Sequence, residues 1–142
     1  MDTYLHLLRS KGFKLTPQRR AVIAALEACA PFPTAQDIHR HVKTQAPDVS
    51  LDTIYRNLTL LIRLGIVNQI NLPGRGGGSV FEIVAGQRHH HHLICLACGQ
   101  ARCIDYCPIV PHELAQAKEQ GFTVVSHSLE FYGYCRDCRT AI

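Results

Sequence analysis

At 142 residues and 46% hydrophobic side chains, the chain has room for one average domain or two small ones and enough apolar material for a core. No apolar run approaches the roughly 20 residues of a membrane span, and Met1-Asp2-Thr3-Tyr4 lacks the basic-then-apolar pattern of a secretory signal. A cytoplasmic protein with no membrane partner is therefore expected. The net charge of +4 belongs to the first part, since residues 1–85 carry ten Lys/Arg against six Asp/Glu and residues 86–142 carry five of each. That asymmetry suggests two domains with different work, the basic one suited to a polyanion.

In chain order, residues 2–12 read as a short helix stopped at Gly12. Thr16-Pro17 is an N-cap followed by proline at the first helical position, and Val22, Ile23 and Leu26 mark the inner face of a helix ending near Ala30. Thr34 caps the next helix, through about Thr44, with Ala35, Ile38 and Val42 inward. Ser50 opens a helix whose Leu51, Ile54, Leu58, Leu61 and Ile62 recur at helical spacing and which stops at Gly65. Asp52, Thr53, Arg56 and Asn57 fall on its remaining surface, with Tyr55 at the margin. Two β-rich stretches, Ile66–Leu72 and Ser79–Val84, flank the glycine turn Pro73–Gly78. Helices followed by a hairpin are the order of a winged helix-turn-helix.

Residues 85–88 read as a hinge between a winged-helix DNA-binding domain (1–84) and a metal-binding dimerisation domain (89–142). In the latter, His89–Leu96 is expected to be a strand, Pro111–Gln120 a helix stopped by Gly121, and Phe122–Tyr132 a strand. The fold class is thus α+β: an N-terminal winged helix-turn-helix and a small C-terminal α/β domain. So small a second domain is expected to lean on metal and on a second copy of the chain.

Three groups of residues carry chemistry. A DNA-reading helix needs one buried face and donors on the other; Ser50, Thr53, Tyr55 and Arg56 lie near the start of such a helix, while Arg19, Arg20, Lys14 and Lys11 can hold phosphates and Arg75 can reach backbone or minor groove. Seven cysteines in a reducing compartment indicate metal rather than disulfides. Cys95 and Cys98 pair with Cys135 and Cys138 as two Cys-x-x-Cys knuckles, the four thiolates of a closed structural zinc site. Between the domains, His89–His92 form a run of four histidines. On a strand their side chains alternate, so His90 and His92 face one way, joined by Glu82 at the end of the wing and by Cys103, while His89 and His91 face the other, joined by His127 and with Glu113 as a possible carboxylate. Cys107, Cys29, His39 and His41 fit no such geometry; Cys29 reads as a small buried residue and the two histidines as a solvated helix face.

These residues together resemble a known family. Val49-Ser-Leu-Asp-Thr-Ile-Tyr-Arg-Asn-Leu58, Gly65-Ile-Val67, Phe81-Glu82, His89–His92 with Leu-Ile-Cys-Leu-Ala-Cys-Gly99, and Tyr132-Gly-Tyr-Cys-Arg-Asp-Cys138 resemble the ferric uptake regulator (Fur) family, in order, from about Leu15 to Cys138. Within it, Ser50–Leu58 and Cys107-Pro108 look most like the zinc uptake regulators (Zur). The resemblance implies a homodimeric repressor that binds an operator in double-stranded DNA, not an enzyme, with no small organic substrate. It implies structural Zn(2+) on Cys95, Cys98, Cys135 and Cys138, regulatory metal at His90, His92 and Glu82, a further site at His89, His91 and His127, and DNA contacts at Tyr55 and Arg56. The chain departs from the family pattern at Phe32, where a ligand often lies, at Cys103, where many members have an acidic residue, and at Val110, where the odd-histidine site usually has its carboxylate. A thiol at Cys103 softens the regulatory site and favours Zn(2+) over Fe(2+) or Mn(2+). The expected function is a zinc-dependent repressor of metal uptake genes acting on an inverted repeat. An iron-, manganese- or peroxide-responsive regulator of the same fold is the alternative, followed by a constitutive zinc-stabilised nucleic-acid binder and by a zinc hydrolase or thiol oxidoreductase, for which no His-Glu-x-x-His is present.

Overall fold

The structure, a computed structural model, describes residues 2–29, 31–73, 78–86, 88–109, 111–124 and 127–141. Ala30, Arg75 and the rest of the Gly74–Gly77 turn, Gln87 of the expected hinge, Val110, and Val125-Ser126 lie outside the described residues. The chain divides into two compact units, Met1–Gln87 and Arg88–Ile142.

The first unit holds α1 (Asp2–Ser10), α2 (Pro17–Ala28), α3 (Ala35–Lys43), α4 (Leu51–Arg63), β1 (Val67–Asn71) and β2 (Ser79–Ile83). Each helix from α2 onward starts on the hydroxyl that the sequence offers. The Thr16 side chain accepts from the Arg19 N–H, Thr34 from Asp37, and Ser50 from Thr53, each at 3.1 Å, so an orphan donor is satisfied at every start. At the end of α4, Gly65 takes φ 71°. That left-handed turn lets the Ile66 N–H reach the Leu61 carbonyl and the Gly65 N–H reach Ile62, the paired bonds of a Schellman stop. Leu8, Ile23, Ile38, Ile54, Leu58, Leu61 and Ile66 are fully buried in one cluster to which Val22, Val42 and Phe81 also belong. β1 and β2 form an antiparallel hairpin from Val67↔Ile83 to Asn71↔Ser79, and a bridge from Val80 to Thr34 ties the hairpin to the start of α3.

The second unit holds β3 (His91–Cys95), β4 (Ala101–Ile104), α5 (Pro111–Glu119), β5 (Glu130–Gly133) and a 3-10 turn, Arg139–Ala141. Its sheet runs β4-β3-β5, with β3–β4 antiparallel and β3–β5 parallel. The second unit differs from the sequence expectation in three places. The strand opens at His91 rather than His89. β4, which the sequence reading passed over, pairs with β3. The long strand expected over Phe122–Tyr132 is reduced to Glu130–Gly133, which pairs with β3, while residues 122–124 join no strand. Phe122 and Val124 are accordingly exposed. Among the described residues no helix is long and apolar enough to cross a membrane.

Candidate metal centres and nucleic-acid interface

The cysteine knuckles meet because β3 and β5 run side by side. Cys95, the last residue of β3, pairs with Gly133, and the Leu96 N–H donates to the Gly133 carbonyl at 2.8 Å, which draws Cys135 and Cys138 under the first knuckle. All four sulfurs lie within 4.8 Å of one another. Cys98 and Cys135 Sγ are 3.9 Å apart, whereas a disulfide would need about 2.0 Å. Tetrahedral zinc, with Zn–S bonds of about 2.3 Å, sets its sulfurs about 3.8 Å apart, so the donor set fits. Backbone N–H groups of Cys98 and Cys135 hold the Cys95 thiol down to about 6. Hydrogen bonding to Cys135 and burial push Cys138 up to about 12. A cation placed among the four sulfurs is what lets thiols this close to one another ionise together.

The even-histidine set lies across β3 and β4. His92 stands opposite Cys103 in the ladder, and the His90 and His92 rings sit edge-to-face with centroids 5.0 Å apart. One nitrogen of each ring and the Cys103 sulfur lie within 4.8 Å of one another. His90 Nδ1 is 2.8 Å from the Arg88 carbonyl; donation there leaves Nε2 with its lone pair, the arrangement of a metal-ligating histidine. Two imidazoles and a thiol are donors that a borderline-soft ion prefers. Glu82, on β2 of the first unit, is buried, and its Oε1 accepts from Asn68 Nδ2 at 3.4 Å.

The odd-histidine set gains an unforeseen member. His89, His91 and His127 converge, but the fourth ligand-type atom within 4.8 Å is the sulfur of Cys107. Glu113 instead lies on the exposed first turn of α5 and is not one of the four. His127 precedes β5 rather than lying on a strand. Burial, and then the neighbouring His89 and His127, hold the His91 imidazole below its ordinary pKa. The signal that could have found Cys107 is its position, a few residues past the end of β4, where the chain leaves the sheet beside the start of β3.

On α4, Ile54, Leu58 and Leu61 face the core while Tyr55 is 43% exposed. Arg56 is exposed and paired with Asp52 at 2.8 Å, and Thr53 Oγ1 lies 2.9 Å from Ser50 Oγ. Asn57, expected on the surface, is buried. Its Nδ2 donates to the Thr53 carbonyl at 2.9 Å and its Oδ1 accepts from Arg19 Nε at 3.3 Å. Arg19 also donates to the Lys14 carbonyl, so its guanidinium is held in place rather than free in solvent. Arg20, Lys14 and Lys11 are exposed. His39, expected on a solvated face, is half-buried with Nε2 2.9 Å from the Val49 carbonyl, and Cys29 is half-buried.

Comparison with known proteins agrees with this architecture. Residues 10–132 match the model of the Ferric uptake regulator family. The peroxide-responsive repressor PerR of Staphylococcus saprophyticus is 34% identical over 132 residues, covering 93% of this chain and 86% of that one. The crystal structure of the Vibrio cholerae ferric uptake regulator superposes with TM-score 0.65 at 28% identity, covering 93% of this chain and 99% of that one. A zinc-bound manganese uptake regulator superposes with TM-score 0.61 at 31% identity, covering 94% and 98%. The chain belongs to the ferric uptake regulator family, and is a metal-responsive transcriptional regulator rather than an enzyme.

Proposed function

We propose that the chain is a zinc-responsive repressor which, as a cytoplasmic homodimer, binds an inverted-repeat DNA operator and controls metal uptake genes. The observation that carries the choice of zinc is the pairing of Cys103 with His92 across β3 and β4, which makes the even-histidine set two imidazoles and a thiol. In this reading Cys95, Cys98, Cys135 and Cys138 hold structural zinc, and His90, His92 and Cys103 hold the regulatory ion with Glu82 added from the first unit. Bound there, the ion would supply the positive centre on which the four ligands converge. Glu82 couples the wing to this set and so favours one arrangement of the reading helices over many, which is how a ligand that prefers one state shifts a population.

Exposed Leu93, Phe131, Tyr132 and Tyr134 on and beside the β3–β5 sheet are apolar surface for a second copy to cover. Two-fold symmetry then calls for two half-sites. Tyr55, Thr53 and Arg56 meet base edges, Arg19 a phosphate.

A peroxide-responsive reading is favoured by the names of the curated relatives, the Staphylococcus repressor and the Bacillus subtilis peroxide operon regulator alike. Both are tested by titrating Zn(2+), Fe(2+) and Mn(2+) against affinity for a duplex recovered by in vitro selection with all three metals present. Zinc is expected to tighten operator binding by about 5- to 150-fold and His90→Ala to abolish the response. Activation by iron or manganese but not zinc, with 2-oxo-histidine formed at His90 or His92 after peroxide, would replace this reading with the other.

A further inference from the structure

His89 Nε2 lies 3.1 Å from His91 Nε2 and 3.0 Å from His127 Nε2, and His127 Nε2 lies 3.3 Å from His91 Nε2. Cys107 Sγ is 3.3 Å from that same His127 nitrogen. Hydrogen bonding does not account for this triangle. A neutral imidazole nitrogen carries either a proton or a lone pair, and one N–H donates along one edge only, leaving a pair of lone pairs face to face along another. A cation at the centre removes the conflict, because all three then point lone pairs inward. The dimensions agree: zinc bound at about 2.0–2.1 Å to nitrogen and about 2.3 Å to sulfur spaces tetrahedral nitrogens about 3.3–3.4 Å apart and nitrogen from sulfur about 3.5 Å.

The four donors come from three separate places: the start of β3 with the residues just before it, the chain after β4, and the chain before β5. Cys107 and His127 bracket α5, a helix with no buried residue among those described. Among the described residues α5 buries no side chain that would hold that excursion down. A common ligand sphere for its two ends would close the loop and restrict the whole segment.

We propose that Cys107 is the fourth ligand of a closed site of three imidazoles and one thiolate, selective for zinc, and that the bound ion clips together the two ends of the segment carrying α5. Three imidazoles alone would suit zinc, copper, iron or nickel; the thiolate is what tips the set toward zinc, and a carboxylate at the same place would tip it toward manganese. With four protein donors the site has no open position, so its work is structural rather than catalytic. The inference stands on residues of the second unit alone and goes beyond the operator-binding function, which uses a different set of ligands.

The test uses the full-length purified chain, stripped by chelation and reloaded with Zn(2+), or with Co(2+) as an optical probe. The wild-type protein is expected to take up one more zinc per chain than Cys107→Ser. In that variant the affinity of this site should fall by at least the about 100-fold that loss of even an outer-shell partner can cost. The cobalt difference spectrum, wild type minus Cys107→Ser, should show a thiolate-to-metal charge-transfer band. Cys107→Asp should keep a metal but lose at least about tenfold of its preference for zinc over Mn(2+), and it keeps the test decisive if the serine variant folds poorly. Zinc should protect residues 111–124 from limited proteolysis in the wild type and not in Cys107→Ser. Equal zinc uptake and no difference band would overturn the thiolate ligand, and more firmly so if His127→Ala did lose a zinc. If His127→Ala also keeps full zinc content, there is no site at all. Operator binding is not among the readouts, so a zinc-independent operator with the difference band intact would sink the proposed function and leave this site standing.

Discussion

The two units solve the problem of stability in opposite ways. In the first, the helices and the hairpin close over one cluster in which Leu8, Ile23, Ile38, Ile54, Leu58, Leu61 and Ile66 lose essentially all contact with water. In the second, the buried hydrophobics among the described residues are Ile94 and Cys95, while Leu93, Tyr106, Leu114, Phe122, Phe131, Tyr132 and Tyr134 are 43% exposed or more. What the second unit has instead is ligands. One half is therefore held by apolar burial that its own chain completes. The other is held by thiols and imidazoles that need an ion and by apolar faces that need a second copy.

The sharpest way to break that contrast is to remove the cysteine centre. Cys135→Ser, or exhaustive chelation, is expected to abolish protection of β3 and β5 amides in hydrogen exchange while α2 and α4 amides keep theirs. The effect should be the largest in the molecule, since apparent folding energies of structural zinc reach about 10 kcal/mol or more at neutral pH. Retained protection at Ile94 and Phe131 after complete metal loss would mean that the second unit has a core of its own after all. The mirror experiment is Leu58→Ala. It opens a cavity in the first cluster and should destabilise that unit by about 2–5 kcal/mol, with zinc content per chain unchanged.

The same contrast governs what could be read from the sequence. The helices of the first unit were legible nearly residue by residue, because local rules decide them: a hydroxyl cap at Thr16, Thr34 and Ser50, apolar spacing between, and Gly65 at the stop. The cysteine pairing was legible because knuckle spacing is itself chemistry. Alternation along a strand divided the four histidines into two opposed pairs even though the strand begins only at His91. What was not legible depends on contacts between distant segments. Asn57 reads as polar surface until Arg19 and Thr53 are found around it. The strand expected at Phe122 is absent there: residues 122–124 join no strand, and the ladder with β3 begins only at Glu130. Cys107 had no role until the path from β4 to α5 set it against His127.

A middle-sized effect is expected where the first unit does use a polar contact. Asn57→Ala leaves the Arg19 guanidinium without its partner on α4 and should cost about 1–3 kcal/mol of stability, the usual range for a buried donor or acceptor left unmet. Because Arg19 is proposed to hold a phosphate, operator affinity should fall by a similar factor for matched and mismatched duplexes alike. A change in base preference rather than in overall affinity would show that Asn57 acts through Tyr55 or Arg56 instead.

The smallest expected effect concerns the capping box of α3, and it has a definite sign in pH. The Thr34 backbone N–H, then the Thr34 hydroxyl, hold the Asp37 carboxyl below its ordinary range, with Arg40 adding to the same side. A carboxylate whose folded pKa lies below its unfolded one contributes stability that is fully present above the unfolded value and disappears as pH falls through the folded one. Thr34→Ala should therefore cost about 1 kcal/mol at neutral pH and less in acid, where Asp37 is protonated in both states. Asp37→Asn should flatten that acid limb without removing the Thr34 cap. The check is the carbon-detected titration of Asp37 together with amide exchange along α3, on zinc-loaded protein so that the cysteine centre stays filled. An Asp37 midpoint no lower than that of the denatured chain would show that the box is formed but carries no charge-dependent stability. The first unit would then draw no pH-dependent stability from this box, and the division of labour between the two units would be sharper still.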